Sequence, residues 1–156
     1  MEPLHLKSKN YGFTLMELMI VVALILLIAA GFLTNWQNQV ERGRDATKKR
    51  DLANLQRALE EYANDNGCYP SEEIYNAFTC DSPVFESYGL KEFPCNDDTK
   101  QPYDYYPQAD SCDGYRIFVN LRGKGDPDIA RVGCDAGCVV NGQTYNFGVS
   151  NGVPLQ

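Results

Sequence analysis

The sequence predicts an α+β protein: a long N-terminal α-helical spine, its first half transmembrane, with a small antiparallel β-sheet head packed on its second half. Three observations predict it. The apolar run Phe13–Leu33 holds one ionisable residue, Glu17. No proline interrupts the chain between Pro3 and Pro70. All six cysteines lie after residue 67. Charge divides the same way. Residues 1–50 hold 7 basic and 4 acidic residues, and residues 51–156 hold 7 basic and 17 acidic ones. Two unlike pieces are therefore joined in one chain.

Residues 1–12 (MEPLHLKSKNYG) form a short polar leader with Lys7 and Lys9. As a helix, residues 13–33 would cover about 31 Å, close to the hydrocarbon thickness of a bilayer. The uncharged part, Leu18–Leu33, has only 16 residues. Spanning therefore needs Phe13–Met16 and draws Glu17 into the membrane. A cleaved secretory signal fits poorly, because the run exceeds the usual apolar core and no A-x-A-like site follows. Trp36 falls where a helix would leave the membrane interface.

Residues 34–66 are predicted to continue the helix in amphipathic form. Leu52, Leu55, Leu59, Tyr62 and Ala63 mark one stripe of a 3.6-residue period. Asn66-Gly67 supplies a stop, and Pro70 prevents resumption. One helix, Phe13–Asn66, would be about 80 Å long.

Residues 67–156 form the expected head. Residues 68–102 read as a loop with a helical turn near Ser71–Phe78. Tyr103–Tyr106 and Tyr115–Leu121 read as strands joined by a hairpin loop at Gln108–Gly114. In the second strand Tyr115, Ile117, Val119 and Leu121 alternate with Arg116, Phe118 and Asn120, the pattern of a sheet with one buried face. Thr144–Ser150 reads as a third strand after the turn Asn141-Gly142.

The composition excludes several classes of function. A net charge of −7 argues against nucleic acid as the main partner. The single histidine, His5, lies in the leader, which removes Ser–His, Cys–His and His-ligated zinc chemistry from the rest of the chain. No GxGxxG, P-loop or HExxH pattern is present. The expectation is a protein that is not an enzyme.

The informative constellation is KSKNYG-FTLMEL. A basic leader ends in Gly12, an aromatic residue follows, and Glu17 stands four positions on in the apolar run. A peptidase at the cytoplasmic membrane face can cut after a residue without a side chain, exposing an amine on Phe13. Glu17 then needs a cation, since a buried acid in a bilayer costs about 2.5–3.5 kcal/mol. Its own Phe13 amine is close along the helix, and the amine of a neighbouring copy in a staggered bundle is the better candidate.

Gly12-Phe13-Thr14-Leu15-Met16-Glu17-Leu18 resembles the processing site of type IV prepilins and type II secretion pseudopilins. Leu52–Pro70 (LANLQRALEEYANDNGCYP) is similar to the end of the long helix in the pseudopilin-like members. The resemblance implies cleavage between Gly12 and Phe13, N-methylation of Phe13, and assembly directed by Glu17 into a filament with the helices in its core. The implied partners are a prepilin peptidase/methyltransferase, other copies and pilin-like subunits, an inner-membrane assembly platform and membrane lipid. The implied localisation is the cytoplasmic membrane, N-terminus inside and head outside, and then an extracytoplasmic filament. The alternative is a membrane-anchored, disulfide-stapled surface protein that binds a ligand and does not polymerise.

The chain departs from the family in places. No proline kinks the apolar run, where Gly31 is the one weak point. Major pseudopilins bind calcium near the last strands. Asp126 and Asp128 stand in that region, but two carboxylates fall short of the roughly 6–8 oxygens calcium takes, so no cofactor is expected. Cys68, Cys80, Cys95, Cys112, Cys134 and Cys138 match no zinc spacing and read as up to three disulfides. Proximity along the chain favours Cys68–Cys80, Cys95–Cys112 and Cys134–Cys138. Arg42, Arg44, Lys48, Lys49 and Arg50 follow the span and taken alone would place the head inside. The cysteines and the leader favour the exported orientation.

Overall fold

The computed structural model describes residues 12–108, 112–123 and 125–156. The leader 1–11 and the centre of the Gln108–Gly114 loop lie outside the described residues. Helix α1 runs Leu15–Asn66, close to the predicted 13–66. The chain divides into two units, Met1–Gln39 and Val40–Gln156.

In the first unit, α1 is started by Thr14. Its hydroxyl accepts from the Glu17 N–H (3.3 Å), half of a capping box. The large apolar side chains from Leu15 to Ile28 are solvent-exposed, as is Trp36. Among the described residues no helix is long and apolar enough to cross a membrane. The helix begins two residues after Phe13, and its uncharged apolar stretch is the short Leu18–Leu33.

In the second unit, the leucine stripe is the core side of α1. Leu52, Leu55, Ala58 and Leu59 are fully buried, while Tyr62 and Ala63 are half-buried. Gly67 ends the helix with φ +83, a left-handed conformation that favours glycine. The predicted turn is α2, Glu72–Asn76, whose N-cap Ser71 accepts from the Ile74 N–H. A 3-10 helix follows at Pro83–Tyr88. Strands β1 (Cys95–Asn96) and β2 (Gln101–Pro102) form a short antiparallel pair. The main sheet takes β3 (Asp104–Pro107), β4 (Tyr115–Val119) and β7 (Phe147–Asn151) in the order β3-β4-β7, all antiparallel. Between β4 and β7 lie α3 (Pro127–Arg131) and a hairpin of β5 (Cys138–Val140) and β6 (Gln143–Tyr145).

One face of the main sheet packs on α1. Tyr105, Tyr115, Ile117 and Val119 join Leu52, Leu55 and Leu59 there, with Tyr75, Phe85 and Phe93 closing the core. Tyr75 stacks on Tyr105 with ring centroids 4.3 Å apart.

The expectation of a single buried face is corrected at Phe118, which is fully buried on the other side. The β5–β6 hairpin and the Cys134–Cys138 segment cover that face, and Phe118 stacks on Tyr145 (5.0 Å). Gly148 opposite makes room, since a Cβ there would fall 2.7 Å from the Phe118 ring.

The predicted strand Thr144–Ser150 is two strands, broken at Asn146. Its side chain accepts from the Leu121 N–H (2.7 Å) and donates to the Leu121 carbonyl (2.8 Å), standing in for a backbone partner.

Candidate functional site

At the N-terminal end, Gly12 and Phe13 precede the first helical turn and both are exposed. Glu17 is exposed one turn in, and among the described residues no cation pairs with it. Its backbone N–H is already satisfied by Thr14, and its charge lies in the first turn, where the helix dipole favours an anion. The carboxylate is thus presented outward next to the proposed new N-terminus.

The second feature holds the middle of α1 to the head, and sequence reading missed it. Asp45, Lys48 and Lys49 stand at i, i+3 and i+4, on one side of the helix. Asp45 is 2% exposed and accepts from the Arg122 N–H (3.0 Å) and the Gly123 N–H (2.8 Å). Lys48, also 2% exposed, donates to Asp98 (2.6 Å) and to the Asn120 carbonyl (2.8 Å). The Arg122 guanidinium pairs with the other Asp98 oxygen. Hydrogen bonds from Arg122 and Lys48 hold the Asp98 carboxyl at about 2, well below the usual range. The available signal was a run of basic residues broken by acids at helical spacing, which also describes a solvated face.

The two calcium candidates are engaged by a lysine. Lys49 Nζ lies 2.6 Å from both Asp126 and Asp128 and 5.8 Å from the centre of the Phe147 ring. Asp126 also caps α3, accepting from the Asp128 N–H (2.9 Å). Burial works against the Asp126 charge, but hydrogen bonds from Lys49 and the Asp128 amide outweigh it and lower its carboxyl. Among the described residues no group of three or more His, Cys, Asp or Glu is placed to hold a metal ion. An ammonium from the helix meets these carboxylates.

All six cysteines are bridged: Cys68–Cys112, Cys80–Cys95 and Cys134–Cys138, with Cα atoms 4.2, 5.6 and 5.0 Å apart. This corrects the proximity-based pairing at Cys68–Cys80 and Cys95–Cys112 and keeps Cys134–Cys138. The β3–β4 hairpin folds back to the end of α1, so Cys112 meets Cys68. The antiparallel turn of residues 80–95 brings the remaining pair together, with the Phe93 N–H donating to the Ser82 carbonyl (3.0 Å).

Residues 7–33 match the family described as the prokaryotic N-terminal methylation motif, so the chain carries a prepilin-type N-terminus. The resemblance to type IV prepilins and type II secretion pseudopilins is borne out. The chain is 26% identical over 148 residues to the type II secretion system core protein G of Escherichia coli, covering 92% of this chain and 94% of that protein. It is 31% identical over 67 residues to the core protein G of Aeromonas hydrophila (43% of this chain, 47% of the relative). It is 41% identical over 68 residues to the fimbrial protein EcpC of Eikenella corrodens (43% and 44%). In the last two the chain spans less than half the length of the relative. No solved structure matches the chain.

Proposed function

We propose that the chain is a structural, non-enzymatic subunit of a type IV filament, a pilin or a pseudopilin of a secretion or DNA-uptake system. The observation that carries this is the methylation motif at residues 7–33, together with a helix whose large apolar side chains from Leu15 to Ile28 are exposed. Exposed apolar surface on that scale needs an apolar partner, first lipid and then neighbouring helices. Residues 13–33 anchor the precursor in the cytoplasmic membrane with the head outside, where disulfides form. A prepilin peptidase/methyltransferase cuts between Gly12 and Phe13 and methylates Phe13. Glu17 pairs with the Phe13 amine of a neighbour and sets the axial stagger.

Intact-mass measurement of the mature chain tests this, together with imaging of sheared surface material. Loss of residues 1–12 with one added methyl group, and filaments containing the chain, are expected. A mature protein retaining Lys7 and Lys9 overturns it.

A further inference from the structure

The second unit, Val40–Gln156, sorts its charges by face. Helix α1 turns Asp45, Lys48 and Lys49 toward the head, and each has partners there. It turns Arg42, Arg50 and Arg57 to solvent, and among the described residues none of the three is in an ion pair. At 3.6 residues per turn the three positions fall within an arc of about 80° over about 22 Å of helix, with Arg50 and Arg57 opposite the leucine stripe and Arg42 at the edge of the arc. Ala46 and Ala53 stand between them and are exposed, so a partner surface can approach closely.

The head presents the complementary charge. Residues 71–106 contain eight acidic residues against two lysines. A recess of about 400 Å³ opens between α2 and β3, lined by Glu72, Asn76, Tyr103, Asp104 and Tyr106 among others. Neither Glu72 nor Asp104 is paired with a cation among the described residues. Burial pushes the Asp104 carboxyl up, with only a hydrogen bond from Tyr145 against it. Two carboxylates without a cation suit a planar guanidinium, which takes hydrogen bonds at its edge.

We propose that the Arg42–Arg50–Arg57 face of one copy docks on the Glu72–Asp104 recess of a second copy. The proposal rests on the filament reading and names a contact within it. Arg50 and Arg57 project from the side of α1 opposite the leucine stripe that packs on the head, so the contact forms between copies. The two surfaces differ, so the contact is heterologous: each copy offers a free face and a free recess, and addition propagates. An anionic lipid surface is a poorer occupant, because Glu60 and Glu61 follow the arginines closely and the head carries an acidic excess.

The test uses charge swaps in the full-length chain, expressed as the only copy. Filament yield is read against the membrane-inserted pool, with protease resistance and complete disulfides as the check on folding. Arg50→Glu with Arg57→Glu should lower filament yield at least about tenfold, as should Glu72→Lys with Asp104→Lys, because like charges then face each other. Combining all four substitutions in one chain, or co-expressing the two reversed chains, should restore assembly. Arg50→Gln with Arg57→Gln is the milder variant, should the reversal prevent folding. It should also lower yield.

Filaments at the wild-type level from either reversed chain overturn the proposal. So does a loss in the arginine variant with no loss in the recess variant, which is the outcome for a lipid or polyanion partner. If the wild-type chain forms no filaments, the proposed function fails and this contact with it. Wild-type filaments with indifferent variants sink the contact alone.

Discussion

Asp45→Ala is the substitution that most directly tests how α1 is fastened to the head. The carboxylate is buried and accepts from two backbone amides, those of Arg122 at 3.0 Å and Gly123 at 2.8 Å. Alanine leaves both N–H groups without that acceptor. A hydrogen bond to a charged group is worth about 1.5–3 kcal/mol. Arg122 itself is exposed and its amide can recover water, so the expected loss is about 2–4 kcal/mol rather than the full sum. For a unit of this size that lowers the melting temperature by about 8–16 °C. Asp45→Asn keeps one carbonyl acceptor and should lose about half as much. The assay is thermal and urea unfolding of the full chain in detergent, followed by the near-ultraviolet signal of the packed tyrosines. If Asp45→Ala stays within about 0.5 kcal/mol of wild type, the range of an ordinary surface change, the clamp is not a stabilising feature.

Three further predictions concern the bridges, acid and assembly. Removing Cys68–Cys112, which closes a separation of 44 residues, should destabilise by about 2 kcal/mol more than removing Cys134–Cys138, which closes 4. Equal losses in paired Cys→Ser variants contradict this. The Asp98 carboxyl lies lower folded than unfolded, so its stabilisation is complete above about pH 4 and is lost as pH falls toward about 2. Asp98→Asn should flatten the stability profile across that window, and an unchanged acid limb argues against it. Glu17→Gln should leave cleavage and membrane insertion intact while sharply lowering filament yield, and wild-type yield would make Glu17 an interfacial acid without a pairing role.

Periodicity made much of the fold readable. The leucine stripe, the stop at Asn66-Gly67 and the strands near residues 104 and 115 all follow from local patterns of 3.6 and 2.0. The rest depended on contacts that no local window contains. Phe118 reads as outward because its neighbours alternate, yet a hairpin twenty residues on covers it. Asn146 breaks a strand only because Leu121 lies beside it. The Cys68–Cys112 bridge requires a hairpin whose return point sequence proximity does not reveal. At the candidate site, the motif around Gly12 and Glu17 was legible because its parts are contiguous. The clamp of Asp45, Lys48 and Lys49 was not, since its partners lie some 50 to 80 residues away.

The placement of the bridges also bears on how the head responds to tension. Cys80–Cys95 lies inside the loop closed by Cys68–Cys112, so the two are nested and only the outer one governs extension. If the head is pulled open from the end of the helix to the C-terminus, the 44-residue separation cannot pay out. At about 3.3–3.6 Å per residue, that withholds about 150 Å of contour length. A subunit with both nested bridges reduced would stretch by that much more before the chain became taut. Oxidation therefore sets the reach of an opened head as well as its stability.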